Sequence, residues 1–125
     1  EHELAERALL NFGHTFGHAL ESESAYRGYL HGEAVAIGMV RAAHLSELLG
    51  LSPASDRIRL EGLLQRLQLP IKDHLGLAPE RLLERMYGDK KNAAGKVRCI
   101  TWHGIGGAQL PAAMAPQLLL DAWRR

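Results

Sequence analysis

The sequence predicts a mainly α, multi-helix domain with at most a minor strand pair. Hydrophobic residues make up 46% of the 125 and aromatics only 6%, with Leu and Ala dominant, a mixture that favours packed helices over sheets. Apolar residues recur at three- and four-residue spacing through most of the chain, and only the run Lys96 to Trp102 reads as a strand. The length suits one domain with a real core, and there is no internal repeat, low-complexity segment or linker.

A first helix is predicted from Glu3 to about Ser24 or Ala25. At about 100° per residue, Glu3, Arg7, Asn11, His14 and His18 fall within an arc of roughly 80°. The opposite arc holds Ala5, Ala8, Leu9, Phe12, Phe16, Ala19 and Leu20, the side such a helix packs into a core. Gly13 and Gly17 each cost about 1 kcal/mol relative to Ala inside a helix. Keeping both implies another backbone or a ligand pressed against that flank.

Tyr26 to Leu30 turns the chain back, and a second helix is predicted from about His31 to a stop at Gly50. Its small residues Ala34, Ala36, Gly38, Ala42 and Ala43 allow close packing on the first helix. Ser52 and Pro53 are read as the N-cap and first position of a third helix, with Ile58, Leu60, Leu63, Leu64 and Leu67 as its core face and an end before Pro70. A short helix follows from Pro79 to Tyr87, then a turn-rich loop from Gly88 to Gly95, the single strand, and a final amphipathic helix from Pro111 to Trp123.

Chemistry gathers in three places. His14 and His31 come from adjacent helical segments, and imidazoles presented by neighbouring elements commonly hold zinc. His14 and His18 are an alternative pair, but Thr15 stands where a zinc protease would carry Glu. Arg7 beside Asn11 offers a guanidinium fork and an amide to a carboxylate or phosphate, with Glu3 placed to pair with Arg7. Lys90 and Lys91, in the loop before Gly95, can close a phosphate site from the other side. His2, His44, His74 and His103 are read as surface or ordinary hydrogen-bonded residues.

Composition also excludes. A formal net charge of +1 gives no reason to expect nucleic acid as a partner. The single cysteine, Cys99, rules out an internal disulfide and a Cys-rich zinc site. No apolar run reaches membrane-span length and no signal-peptide pattern opens the chain, so a cytoplasmic location is the default. Glu1 is not an initiator Met, and the sequence reads as a piece of a longer protein.

LNFGHTFGHALE at residues 10–21, YLHGEAVAIGMV at 29–40 and MYGDKK at 86–91 together resemble the C-terminal domain of the dehydroquinate synthase family of sugar phosphate cyclases, over nearly the whole chain from Glu3 to about Ala108. The resemblance implies the helical C-terminal half of a two-domain, NAD- and metal-dependent carbon–oxygen lyase of aromatic amino acid biosynthesis. Residues 1–125 would form the metal- and substrate-binding domain, and the NAD-binding domain, with no cofactor-binding residue in this chain, would lie outside it. It maps metal ligands for Zn2+ (or Co2+) onto His14 and His31, with a third ligand, a glutamate, upstream of Glu1. Catalytic roles fall on Glu3 and His18, and substrate-binding roles on Arg7, Asn11, Lys90 and Lys91. Implied partners are a sugar phosphate, the chain's own N-terminal NAD-binding domain and a second copy in a homodimer. Ala5, where the family commonly has Gly, and Thr101-Trp102-His103 depart from the pattern away from these residues. The other readings are a cyclase for a different sugar phosphate and a non-catalytic helical interaction module. The isolated chain is expected to be inactive.

Overall fold

The computed structural model describes residues 13–88, 98–99 and 112–124. Five helices run in order among these residues: α1 (His14–Glu23), α2 (His31–Leu48), α3 (Ala54–Arg66), α4 (Pro79–Tyr87) and α5 (Pro116–Trp123). Between α4 and α5, β1 (Arg98–Cys99) and β2 (Ala112–Ala113) pair antiparallel, Arg98 opposite Ala113 and Cys99 opposite Ala112. The mainly α class with a minor strand pair is what the composition predicts.

The predicted single helix from Glu3 is corrected at Gly13. This residue has φ +90° and acts as the N-cap, so α1 begins at His14. A Cβ at Gly13 would lie 2.5 Å from the Met39 backbone nitrogen, and one at Gly38 would lie 2.2 Å from the Gly13 carbonyl oxygen. At Gly17 it would meet the Ala34 carbonyl oxygen at 3.1 Å. The glycines therefore mark backbone-to-backbone contact between α1 and α2, and only Gly both fits this space and adopts the left-handed turn at residue 13. Glu3, Arg7 and Asn11 lie outside the described residues.

α2 is the central element and packs against α1, α3 and α5. It starts after Leu30, whose N–H donates to Glu33 Oε1 at 2.9 Å. It ends as the sequence predicts at Gly50, φ +73°, where Gly50 N donates to Glu47 O and Leu51 N to Ser46 O, a Schellman closure. The core joins Phe16 and Leu20 to Ile37, Val40 and Leu45, and to Leu82, Met86 and Leu119. Trp123 completes it, edge-on to Phe16 with ring centroids 5.1 Å apart, its indole N–H donating to Met86 Sδ.

Two further corrections concern helix starts. Pro53, not Ser52, is the N-cap of α3, and the Ser52 hydroxyl makes no capping bond. The final helix begins at Pro116 rather than Pro111, because Ala112 and Ala113 belong to β2 and Ala115, preceding proline, is extended. The core face of α3 is also narrower than its spacing suggests. Leu60 and Leu64 are buried, whereas Ile58, Leu63 and Leu67 are 56%, 50% and 61% exposed.

Arg57 takes a core position instead, buried and bonded to Glu47 of α2 at 2.7 Å and to Glu61 at 2.9 Å. Burial alone would weaken its positive charge, but the two carboxylates more than offset this and hold the guanidinium charged. Also from α2, Arg41 and His44 both bond to the Ala122 carbonyl at the C-terminal end of α5. His44 and His74 are thus ordinary structural histidines, His74 lying against the Tyr29 ring.

Tyr29, in the α1–α2 connection, donates to Asp73, and its oxygen accepts from the His74 N–H at 2.9 Å. Asp73 also accepts from the Leu75 and Leu77 N–H groups, so one phenol and one carboxylate fold the segment between α3 and α4. Burial, then the Asp73 bond, pushes the Tyr29 hydroxyl up to about 12.

Two predictions follow from this packing. Gly38→Ala should lower stability by about 3 kcal/mol or more, since backbone must move. Gly62→Ala, with open space at its Cβ inside α3, should raise it by about 0.5–1 kcal/mol; urea unfolding of the two variants checks the contrast. The folded-state value of Tyr29 lies above its ordinary 10.0, so its contribution is complete below that pH and is lost as pH rises toward about 12. Tyr29→Phe should cost about 1–2 kcal/mol at neutral pH and flatten the alkaline limb; an unchanged limb would refute the assignment.

Candidate functional site

The α1–α2 contact brings two histidines together. His14 is the first residue of α1 and His31 the first of α2, so each imidazole projects from a helix start, and their ring centroids lie 6.2 Å apart at an interplanar angle of 67°. Two imidazoles on one tetrahedral zinc have centroids about 5 Å apart, about 1 Å closer than these rings lie. The pair therefore suits a divalent transition metal.

Behind the pair stands Glu21. Its Oε2 lies 3.0 Å from His31 Nδ1, and the carboxylate is buried while the His31 side chain is 67% exposed. Among the described residues no group of three metal-ligating side chains converges.

Next to them a cleft of about 400 Å³ opens between α1 and the end of α4. Thr15, His18, Ser22 and Tyr26 line one wall, and Arg81, Glu84, Arg85 and Gly88 the other. His18, one turn beyond His14, is exposed to this space. The far wall is held by Glu23, which accepts from Arg85 at 2.9 Å and from Arg81 at 3.3 Å. The Arg85 bond holds the Glu23 carboxyl below its ordinary range against the opposing effect of burial, and Arg81 adds to it. Gly88 lies on the rim.

The structure thus brings His14 and His31 together and places His18 on the adjoining cleft. Glu3, Arg7, Asn11, Lys90 and Lys91 lie outside the described residues. Sequence reading missed Glu21, Arg81 and Arg85. Glu21 had a signal, because seven residues after His14 it returns to the same helix face. The arginines had none, since their approach to α1 depends on how α4 packs. No helix among the described residues is long and apolar enough to cross a membrane.

Comparison with known proteins shows the family. The family model described as 3-dehydroquinate synthase C-terminal matches residues 1–92. The chain is 54% identical over 112 residues to a 3-dehydroquinate synthase of Xylella fastidiosa (strain M23), covering 86% of this chain and 30% of that protein. It is 53% identical over 113 residues to the 3-dehydroquinate synthase of Xanthomonas campestris pv. campestris (strain 8004), with the same coverage. It therefore spans about a third of the length of these relatives.

Among solved structures, a 2-deoxy-scyllo-inosose synthase complexed with carbaglucose-6-phosphate, NAD+ and Co2+ superposes with a TM-score of 0.80 at 25% identity, over 91% of this chain and 34% of that one. A 2-epi-5-epi-valiolone synthase from Streptomyces hygroscopicus subsp. jinggangensis 5008, with NAD+ and Zn2+ bound, gives 0.76 at 27% identity, over 91% and 31%. With the family model covering most of its length and the same helical arrangement found in these cyclases, the chain belongs to the 3-dehydroquinate synthase C-terminal family.

Proposed function

We propose that this chain is the metal- and substrate-binding domain of a 3-dehydroquinate synthase. The enzyme converts 3-deoxy-D-arabino-heptulosonate 7-phosphate to 3-dehydroquinate and inorganic phosphate by transient oxidation, phosphate elimination, re-reduction and aldol closure. In this reading it is a cytoplasmic enzyme of the shikimate route to aromatic amino acids, and its active form pairs this domain with an N-terminal NAD-binding domain and acts as a homodimer. The observation that carries the reading is the pairing of His14 and His31 beside the His18 cleft, in a chain of this family.

When bound, NAD would accept and return a hydride, and Zn2+ or Co2+ would acidify and orient the hydroxyl from which it is taken. His14 and His31 would hold the metal from the first turns of α1 and α2. His18, on the cleft wall, moves a proton beside the leaving phosphate. Arg7 and Asn11 hold the substrate carboxylate, and Glu3 orients Arg7 at the reacting end. Lys90 and Lys91 neutralise the phosphate.

The test uses the full-length protein with NAD and the heptulosonate phosphate. Phosphate release should vanish after chelation and return with zinc, accompanied by dehydroquinate. His14→Ala and His31→Ala should each lower bound zinc. No release from folded, zinc-loaded protein would point to another cyclase substrate or to the non-catalytic module, and full metal loading in both variants would remove the ligand assignment.

A further inference from the structure

Glu21 spends a buried carboxylate on one nitrogen of an exposed ring. Its side chain reaches Nδ1 of His31 at 3.0 Å, and the residue is 7% exposed while the imidazole is largely in solvent. A plain surface tie between helices would leave both groups wet and would contribute little. Burying the carboxylate is costly unless its partner carries positive charge or is polarised by it.

The backbone from which Glu21 projects is also pinned. Its carbonyl oxygen accepts from Tyr26 N at 2.8 Å, closing the end of α1, and from Ser24 Oγ at 3.2 Å. The side chain therefore leaves a rigid helix terminus, on the same face of α1 as His14. Because Glu21 accepts at Nδ1, that nitrogen carries the proton and Nε2 keeps the lone pair.

We propose that Glu21 is the positioning residue of the metal centre: its carboxylate fixes the His31 tautomer and ring orientation so that Nε2 is presented as the ligand atom. This rests on the reading of His14 and His31 as metal ligands. Glu21 acts through His31 and does not touch the metal, and its charge as well as its hydrogen bond contributes.

The deciding variant is Glu21→Gln in the full-length protein, which keeps an acceptor oxygen but removes the charge; Glu21→Ala, His14→Ala and His31→Ala are measured beside it. Zinc affinity is read by competition with a chromophoric chelator, and ligand geometry by the visible absorption of the Co2+-loaded protein. Glu21→Gln should weaken zinc binding about tenfold and shift the Co2+ bands, and Glu21→Ala should weaken it by up to about a hundredfold. Melting of the chelator-treated Glu21→Gln protein should match that of the parent. Wild-type zinc affinity and an unshifted Co2+ spectrum in Glu21→Gln, with metal lost in His31→Ala, would overturn the positioning role and leave the ligand assignment standing. Undiminished zinc binding in both histidine variants would overturn the ligand assignment and this proposal with it.

Discussion

The close approach of α1 and α2 at Gly13, Gly17 and Gly38 is the constraint on which the rest of the domain depends. An added Cβ at Gly38 would fall inside the Gly13 carbonyl, so these helices meet through their backbones with no side chains between them. Across this contact the His14 and His31 rings lie 6.2 Å apart. The contact also sets α1 at the depth where Phe16 meets Trp123 and Leu20 enters the core. Any side chain inserted at the crossing would separate the histidines before it disturbed the more distant helices.

Around this contact the outer elements are registered by polar ties anchored at protected points. Arg57 bonds α3 to α2 through Glu47, Arg41 and His44 hold the end of α5 through the Ala122 carbonyl, and Tyr29 gathers the α3–α4 connection through Asp73. Glu23 draws α4 onto α1 through two arginines and so shapes the far wall of the cleft. The apolar core supplies non-directional burial, and these bonds choose among the ways in which small, leucine-rich helices can slide over one another.

The candidate site combines both kinds of interaction. The backbone contact accompanies a His14–His31 ring distance of 6.2 Å, the Glu21 carboxylate bonds His31, and the Glu23 bridge holds the wall of the neighbouring cleft. His14, His18 and Glu21 share one face of α1 by periodicity alone. His31, Arg81 and Arg85 reach that face from other helices.

Much of this was legible in the chain itself. Helical periodicity, the Gly50 stop, the boundaries of α4 and the histidine-rich face of α1 follow from local rules, because they depend on φ/ψ preference and on side-chain spacing within one element. The pair of glycines announced a close neighbour without saying which one. Tertiary structure decided the remainder. It started α1 at His14, after Gly13, where fitting against Met39 demanded a left-handed residue. It left Ile58, Leu63 and Leu67 exposed and put Arg57 inside, because α3 presents only a narrow edge to α2 and two carboxylates wait there. It turned Ala112 and Ala113 into a strand by offering them a partner. Sequence specifies what each segment can become, and the choice of which face is buried, and of which groups meet across helices, belongs to long-range packing that no local pattern encodes.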